Sequence, residues 1–392
     1  MTSTTLSVAF IPLVDAAPLI VAQEMGFARE EGLSLDLVRA PSWSSVRDML
    51  AFGRVEAAHM LSPVPVAMAL GIGGVASRIS ALMVLSVNGN VVGVSQEIAT
   101  RLKANGHDFG FADARAAGHA LVQAAGGTLR IGVPFPFSMH AELLYYWLSA
   151  SGLPAPQNIE IKTVPPPLMT DAMAAGEIDA FCVGEPWGSK TVERGVGALI
   201  LPGSAIWSFA PEKVLAVRTE WAEAEPDLTG RLMRAVWKAC RWLGQGGAQT
   251  TAAELLGRSE YLDLAPHIID RALTGRLVVQ SSGETRTAPG FLEFFAGGAT
   301  FPWRSQAAWI AAQMAARLGL ERSVSLDQAR AVFRTDLYRK HLRETGAVLP
   351  GASEKIEGGI AAGTAAASET GRLIFTENWF FDGRFFDPHL KT

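Results

Sequence analysis

Charge is sparse in this chain: Asp, Glu, Lys and Arg make up 18% of its 392 residues, against 49% hydrophobic residues, and the formal net charge is -4. So apolar a composition folds into a packed globule, which excludes disorder, and at this length it predicts two lobes rather than one core. No cluster of Lys and Arg of the kind that tracks phosphates is present, so direct nucleic-acid binding is disfavoured. Cysteine is scarcer: Cys182 and Cys240 are the only two and lack C-x-x-C spacing, which leaves no disulfide framework and no thiolate metal site. The histidines at 59, 107, 119, 140, 267, 341 and 389 also lack metal-ligand spacing, and no cofactor is expected. Long apolar runs are missing too, because Pro63, Pro65 and Gly71 interrupt the best candidate at 60–74, so no segment is expected to span a membrane. The first residues, Met1 to Thr5, lead straight into a strand-like run without a basic region, a long apolar stretch or a small-residue cleavage site, which predicts a cytoplasmic location. P-loop, G-x-G-x-x-G, H-E-x-x-H and G-x-S-x-G motifs are all absent, so the expected task is recognition and not catalysis.

What is present is an alternation of strand and helix patterns. Strand 6–13, helix 17–31, strand 33–38, helix 46–52 capped by Ser44 or Ser45, strand 56–61, a proline-broken helix and strand 82–88 follow one another. This β-α-β-α order predicts an α/β fold with parallel sheets flanked by helices. A glycine-rich stretch at 105–127 reads as loop, and a second unit follows: strand 129–135, helix 139–150, strand 159–164, helix 167–175 and strand 178–183. Short strands at 198–201 and 213–217 come next, and beyond Thr219 the pattern is helical. The stretch 358–371 reads as mobile, and the aromatics of 379–386 as a docking segment.

Open α/β sheets place ligands at the C-terminal ends of their strands. There the chain carries Pro41-Ser42-Trp43-Ser44-Ser45, Asn88-Gly89-Asn90, Phe137-Ser138-Met139-His140 and Gly184-Glu185-Pro186-Trp187. Such loops offer backbone N–H groups, an indole, amides and an imidazole, a donor-rich set that suits an anion. Taken singly, each residue has an ordinary structural reading: Trp43 as a packing aromatic, His140 as a satisfied core histidine, Asn90 as a turn residue, Glu185 as a helix cap and Lys213 as a solvated lysine.

Several blocks together carry more. From about residue 8 to 242 the chain resembles the nitrate- and bicarbonate-binding branch of the ABC-transporter solute-binding proteins, on Phe10-Ile11-Pro12-Leu13-Val14-Asp15-Ala16-Ala17-Pro18-Leu19, Ser42-Trp43, Arg47-Asp48, Ala58-His59-Met60-Leu61-Ser62-Pro63, Val164-Pro165-Pro166-Pro167, Phe181-Cys182-Val183-Gly184-Glu185-Pro186-Trp187 and Pro211-Glu212-Lys213. The resemblance implies a two-lobed, periplasmic-binding-protein-like (type II) clamp, each lobe a mainly parallel sheet flanked by helices, with a helical C-terminal extension. Lobe I is expected at 1–90 and 206–345, lobe II at 91–205, and a tail packing on lobe I at 346–392. In the nitrate-binding members the ligand is held by a tryptophan, an amide, a histidine, a main-chain glycine site and a lysine. These fall here on Trp43, Asn90, His140, Gly184 and Lys213. Asn90 stands where the family has glutamine, and Phe137-Ser138-Met139-His140-Ala141 where it has Gly-Gly-Thr-His-Asp.

A cation among N–H donors suits nitrate or nitrite, whereas bicarbonate also presents an O–H that wants an acceptor. Lys213→Glu is therefore expected to abolish nitrate binding and leave the fold intact. With the leaderless start, the resemblance implies a cytoplasmic nitrate/nitrite sensor whose closure on its ligand releases an RNA-binding antiterminator. The alternative is an exported substrate-binding protein that hands nitrate, bicarbonate or a small organic anion to an ABC permease.

Overall fold

In the computed structural model, which describes residues 3–390, the N-terminal strand β1 (Thr4–Phe10) leads through α1 (Ala17–Glu24) and α2 (Phe27–Glu30) into β2 (Leu33–Arg39), its parallel partner. Met1, Thr2, Lys391 and Thr392, at the outer ends of the first and last expected segments, lie outside the described residues. The single helix expected over 17–31 is two helices, because Gly26 takes φ 81°, a left-handed turn between them. α3 (Trp43–Ala51) is capped by Ser42, whose hydroxyl accepts from the Ser45 amide at 3.2 Å, so neither Ser44 nor Ser45 is the cap. β3 (Ala57–Leu61) pairs in parallel with β1, and α4 (Pro63–Ala69) and β4 (Ile79–Asn88) follow.

Gly89, at φ 99°, then carries the chain from β4 directly into β5 (Asn90–Ser95), a strand of a different sheet. That sheet is completed by β6 (Leu129–Val133), β7 (Ile159–Thr163), β8 (Ala180–Gly184) and β9 (Gly197–Pro202), in the order β7-β6-β8-β5-β9. Around it lie α5 (Gln96–Ala104), α6 (Ala114–Ala124), α7 (Met139–Ala150), α8 (Met169–Ala174) and α9 (Trp187–Glu193). β10 (Pro211–Arg218) returns to the first sheet, whose order is β11-β4-β10-β3-β1-β2 with the short edge strand β11 (Leu292–Glu293).

The sheets are mixed rather than parallel. β10 runs antiparallel to β3 and β4, and β5 antiparallel to β8 and β9. The reason is topological: β5 and β10 are the strands by which the chain changes sheet, so each starts at the cleft where its neighbours end. β3, β4 and β8 are buried along their whole length, covered on both faces by helices.

Two other expectations change. The stretch 105–127 is not simply loop, since α6 occupies 114–124 with the Asp113 carboxylate accepting from the Ala116 amide at 2.9 Å. Its Gly118 serves close packing: a Cβ there would lie 2.1 Å from Ser151 Oγ, just beyond α7. The stretch 358–371 makes short antiparallel pairs with 349–350, 373–374 and 378–379.

After β10 the chain is mainly helical, with α10 (Thr219–Ala224), α11 (Pro226–Leu243), α12 (Ala248–Leu256) and α13 (Pro266–Thr274), then, beyond a short antiparallel hairpin at 276–287 and the edge strand, α14 (Arg304–Leu318), α15 (Arg322–Val332) and α16 (Thr335–Leu342). The tail closes over Trp207 and α14, where the Phe380 ring stands 4.8 Å from Trp207 and 5.8 Å from Trp309. It also reaches the second sheet's unit, because Tyr146 of α7 donates to Asp382 at 2.9 Å. Buried Glu357 anchors it, accepting from Ser305 at 2.6 Å and Asn378 at 2.7 Å. α14 makes a second tie to α7: Arg317 forms a bidentate pair with buried Glu142 at 2.6 and 2.8 Å.

Candidate functional site

Both sheets direct polar side chains into the cleft between them. Trp43 opens α3 just beyond β2, His140 opens α7 just beyond β6, Asn90 begins β5, Gly184 ends β8 opposite Asn90 in register, and Lys213 lies near the start of β10. Each position is a strand end or helix start at the junction of the sheets, and the five residues implied by the resemblance come together there. Trp43, Asn90, His140 and Lys213 are all fully buried. The Lys213 ammonium stands 5.5 Å from the Trp43 ring centroid.

Three residues not singled out as site groups complete the cluster. Asp15, in the turn after β1, holds the Lys213 ammonium at 2.7 Å, and Glu212 holds it at 2.8 Å. His59 of β3 places Nε2 3.0 Å from the other Asp15 oxygen, and its ring lies tilted against Trp43 with the centroids 5.4 Å apart. Glu212 Oε2 accepts from Asn90 Nδ2 at 2.6 Å, while its Oε1 lies 3.3 Å from His140 Nδ1 without hydrogen-bond alignment. The sequence signal for all three is a charge or imidazole embedded in an apolar run, as with His59 in Ala57–Leu61 or Asp15 in the stretch 10–19. A polar residue at a buried position needs a partner, so such interruptions mark sites. Lys213 and Glu212 are thus opposite to solvated surface charges.

The electrostatics follow from burial and pairing. Burial would raise the Asp15 carboxyl, but Lys213 and His59 outweigh it and hold the group well below its ordinary range. For Glu212 burial wins, and the carboxyl stays above its ordinary value despite Lys213. The Lys213 ammonium is raised, since Asp15 and Glu212 overcome the cost of burial. Burial pushes both imidazoles down, His140 strongly, with Lys213 adding to the effect. At neutral pH His59 and His140 are therefore neutral.

Several donors and acceptors in the cleft have no partner: Trp43 Nε1, both ring nitrogens of His140, His59 Nδ1 and Asn90 Oδ1. Buried polar atoms are rarely left so, and their concentration here marks a place built to receive something. Gly184 fits the same purpose: a Cβ would approach Leu13 Cδ2 at 3.2 Å and Asn90 Oδ1 at 3.6 Å, so the glycine leaves that wall open. The cleft is shut beside it, where Trp187 Nε1 donates to the Pro12 carbonyl at 2.9 Å and the Val14 amide to the Glu185 carbonyl at 2.9 Å. Glu185 itself accepts from the Ser189 amide at 3.1 Å and, pushed up to about 7 by burial, caps α9 rather than facing the cluster.

The arrangement can bind but has little with which to react. Cys182, near Glu212, is a buried free thiol raised well above its ordinary value by burial, and Ser62 spends its hydroxyl on the Pro211 carbonyl at 2.7 Å. Among the described residues no group of three or more His, Cys, Asp or Glu side chains is placed to hold a metal ion. No helix among them is long and apolar enough to cross a membrane.

Known proteins share this fold. The chain is 32% identical to the nitrate import ATP-binding protein NrtC of Synechocystis over 79% of its own length but only 45% of that protein's. It is 26% identical to the bicarbonate-binding protein CmpA of Synechococcus elongatus, over 98% of this chain and 84% of that one. The crystal structure of the periplasmic nitrate-binding protein NrtA of Synechocystis superposes with a TM-score of 0.83 at 25% identity, covering 98% and 96% of the two chains. The fold is thus that of the periplasmic binding proteins, and its homologues NrtA and CmpA bind rather than transform. With its N-terminal two thirds, residues 1–257, matching the family model described as NMT1-like, the chain belongs to the NMT1-like family.

Proposed function

We propose that this protein is a solute-binding receptor that closes on nitrate or nitrite between its two sheets and serves an ABC-type importer. One observation carries the reading: Trp43, Asn90, His140, Gly184 and Lys213 meet in a buried cleft whose remaining polar atoms lack partners, on a fold shared along nearly its whole length with a nitrate-binding protein. The cluster supplies a cation and N–H donors without a nucleophile, which suits a small planar anion held and released unchanged. The likeness to a transport receptor favours this role over the antiterminator-linked sensor. The expected partner is then a permease with its ATPase, and fractionation of cells separates the two, the sensor requiring a cytoplasmic protein.

Bicarbonate is the second reading, favoured by the Glu212 carboxylate, an acceptor that could take its O–H. A thermal-shift series with nitrate, nitrite and bicarbonate tests both. A ligand at a hundred times its Kd stabilises by about 2.7 kcal/mol, enough to move the transition visibly. The expected outcome is a rise with nitrate or nitrite larger than with bicarbonate; no rise with either refutes the proposal.

A further inference from the structure

Two of the donors expected to face an anion, Asn90 and Lys213, are already spoken for. Asn90 spends its NH2 group on Glu212 Oε2 at 2.6 Å, and its carbonyl oxygen, partnerless, is the atom turned toward Gly184. Lys213 is held by Asp15 at 2.7 Å and by Glu212 at 2.8 Å. An ionised carboxylate only accepts hydrogen bonds, so while Glu212 carries its charge Asn90 must show it the NH2 edge and offer the cleft an oxygen. An anion arriving there meets a lone pair where it needs a donor, in a buried cluster whose formal charge with ionised Asp15 and Glu212, protonated Lys213 and two neutral histidines is already negative.

We propose that Glu212 is a positioning residue that takes up a proton when the anion binds: its new O–H donates to Asn90 Oδ1, the amide turns over, and the freed NH2 group and Lys213 face the ligand. The proton comes from solvent, no other bond changes, and the inference rests on the anion-receptor reading above. Charged and titratable groups face Glu212 from every side: Lys213 on its own strand, Asp15 from the turn after β1 with His59 of β3 behind it, His140 from α7 and Cys182 from β8. Of these, the histidines are poor alternatives for the proton, because each would become a second cation near Lys213. Burial already holds the Glu212 carboxyl above its ordinary value, the direction that favours proton uptake.

Calorimetry of nitrate and of nitrite binding in phosphate and in Tris, whose ionisation enthalpies differ, counts protons taken up per anion. Approaching one proton is expected for the full chain, with affinity falling up to about tenfold per pH unit wherever free Glu212 is ionised. Glu212→Gln, which can donate to Asn90 Oδ1 at any pH, is expected to bind more tightly than the natural protein at pH 8, with no proton uptake and a flat profile. A merely structural role for Glu212 would not produce that change of profile. Binding to the natural protein without proton uptake overturns this inference and leaves the receptor reading standing, and uptake that persists in Glu212→Gln assigns the proton elsewhere and overturns it as well. No binding of either anion at any pH from 5.5 to 8 overturns both.

Discussion

Replacing Lys213 by Met keeps a side chain of similar length at the centre of the cleft and removes its charge, leaving Asp15 and Glu212, 3% and 0% exposed, without their shared cation. Leaving a buried charge uncompensated costs about 3–5 kcal/mol. A second estimate comes from the escape route. Protonating Glu212 restores the original net charge, and for a carboxyl with an ordinary value of 4.5 this costs about 4 kcal/mol at pH 7.5 and about 1.4 kcal/mol at pH 5.5. The two agree at neutral pH, and the second fixes the sign of the pH dependence. In the variant the Glu212 value is raised further in the folded state, so the stabilising protonated form is fully present below the unfolded value and is lost as pH rises. The gap between Lys213→Met and the natural protein should therefore widen by up to about 1.4 kcal/mol per pH unit. Urea unfolding at pH 5.5, 6.5 and 7.5 measures it, with calorimetry showing nitrate binding lost throughout. A gap below about 1 kcal/mol at pH 7.5, or one that does not narrow toward pH 5.5, would show that Lys213 does not neutralise the buried carboxylates. By the same argument Lys213→Glu places a third carboxylate in the cluster, so the expectation that this reversal spares the fold is corrected.

Arg317→Ala strands the buried Glu142 carboxylate and should cost about 3 kcal/mol in urea unfolding at neutral pH, with Glu142→Leu added to Arg317→Leu recovering most of it. Gly184→Ala puts a methyl group 3.2 Å from Leu13 Cδ2 and 3.6 Å from Asn90 Oδ1, in space the backbone tolerates. Stability should stay within about 1 kcal/mol while nitrate affinity measured by calorimetry falls about tenfold or more. Gly118→Ala improves intrinsic helix propensity by about 1 kcal/mol, yet its Cβ would lie 2.1 Å from Ser151 Oγ and 3.0 Å from Trp147 Nε1. The overpacking should prevail and net destabilisation of about 1–2 kcal/mol should appear in denaturant titration.

The sequence read alone shows which segments are strands and helices wherever one periodicity runs unbroken. α7 matches its expected span residue for residue, and β7, β9 and β10 differ by at most two residues at an end. It failed where a local signal had a tertiary cause. Gly118 looked like a loop glycine because only the packing of α6 beside Ser151 explains a missing Cβ inside a helix. The alternation of strands and helices implied parallel sheets, and nothing in the order of elements says that β5 and β10 change sheet and so run against their neighbours.

The candidate site divides in the same way. Trp43, Asn90, His140, Gly184 and Lys213 were legible because strand ends and helix starts are set by local sequence, and short blocks around them resemble a known branch of binding proteins. Asp15, His59 and Glu212 were not picked out as site residues, although each interrupts an apolar run, because their partners lie on other elements. The hydrogen bond from Asn90 to Glu212 joins residues 122 positions apart, and the ion pair of Lys213 with Asp15 joins β10 to the turn after β1. Composition and periodicity determine what each segment becomes, because those preferences act within a turn or two of chain. The net charge of the cleft, the direction each amide faces and the burial that shifts each titratable group arise only when distant segments exclude water together, and the tertiary structure alone decides them.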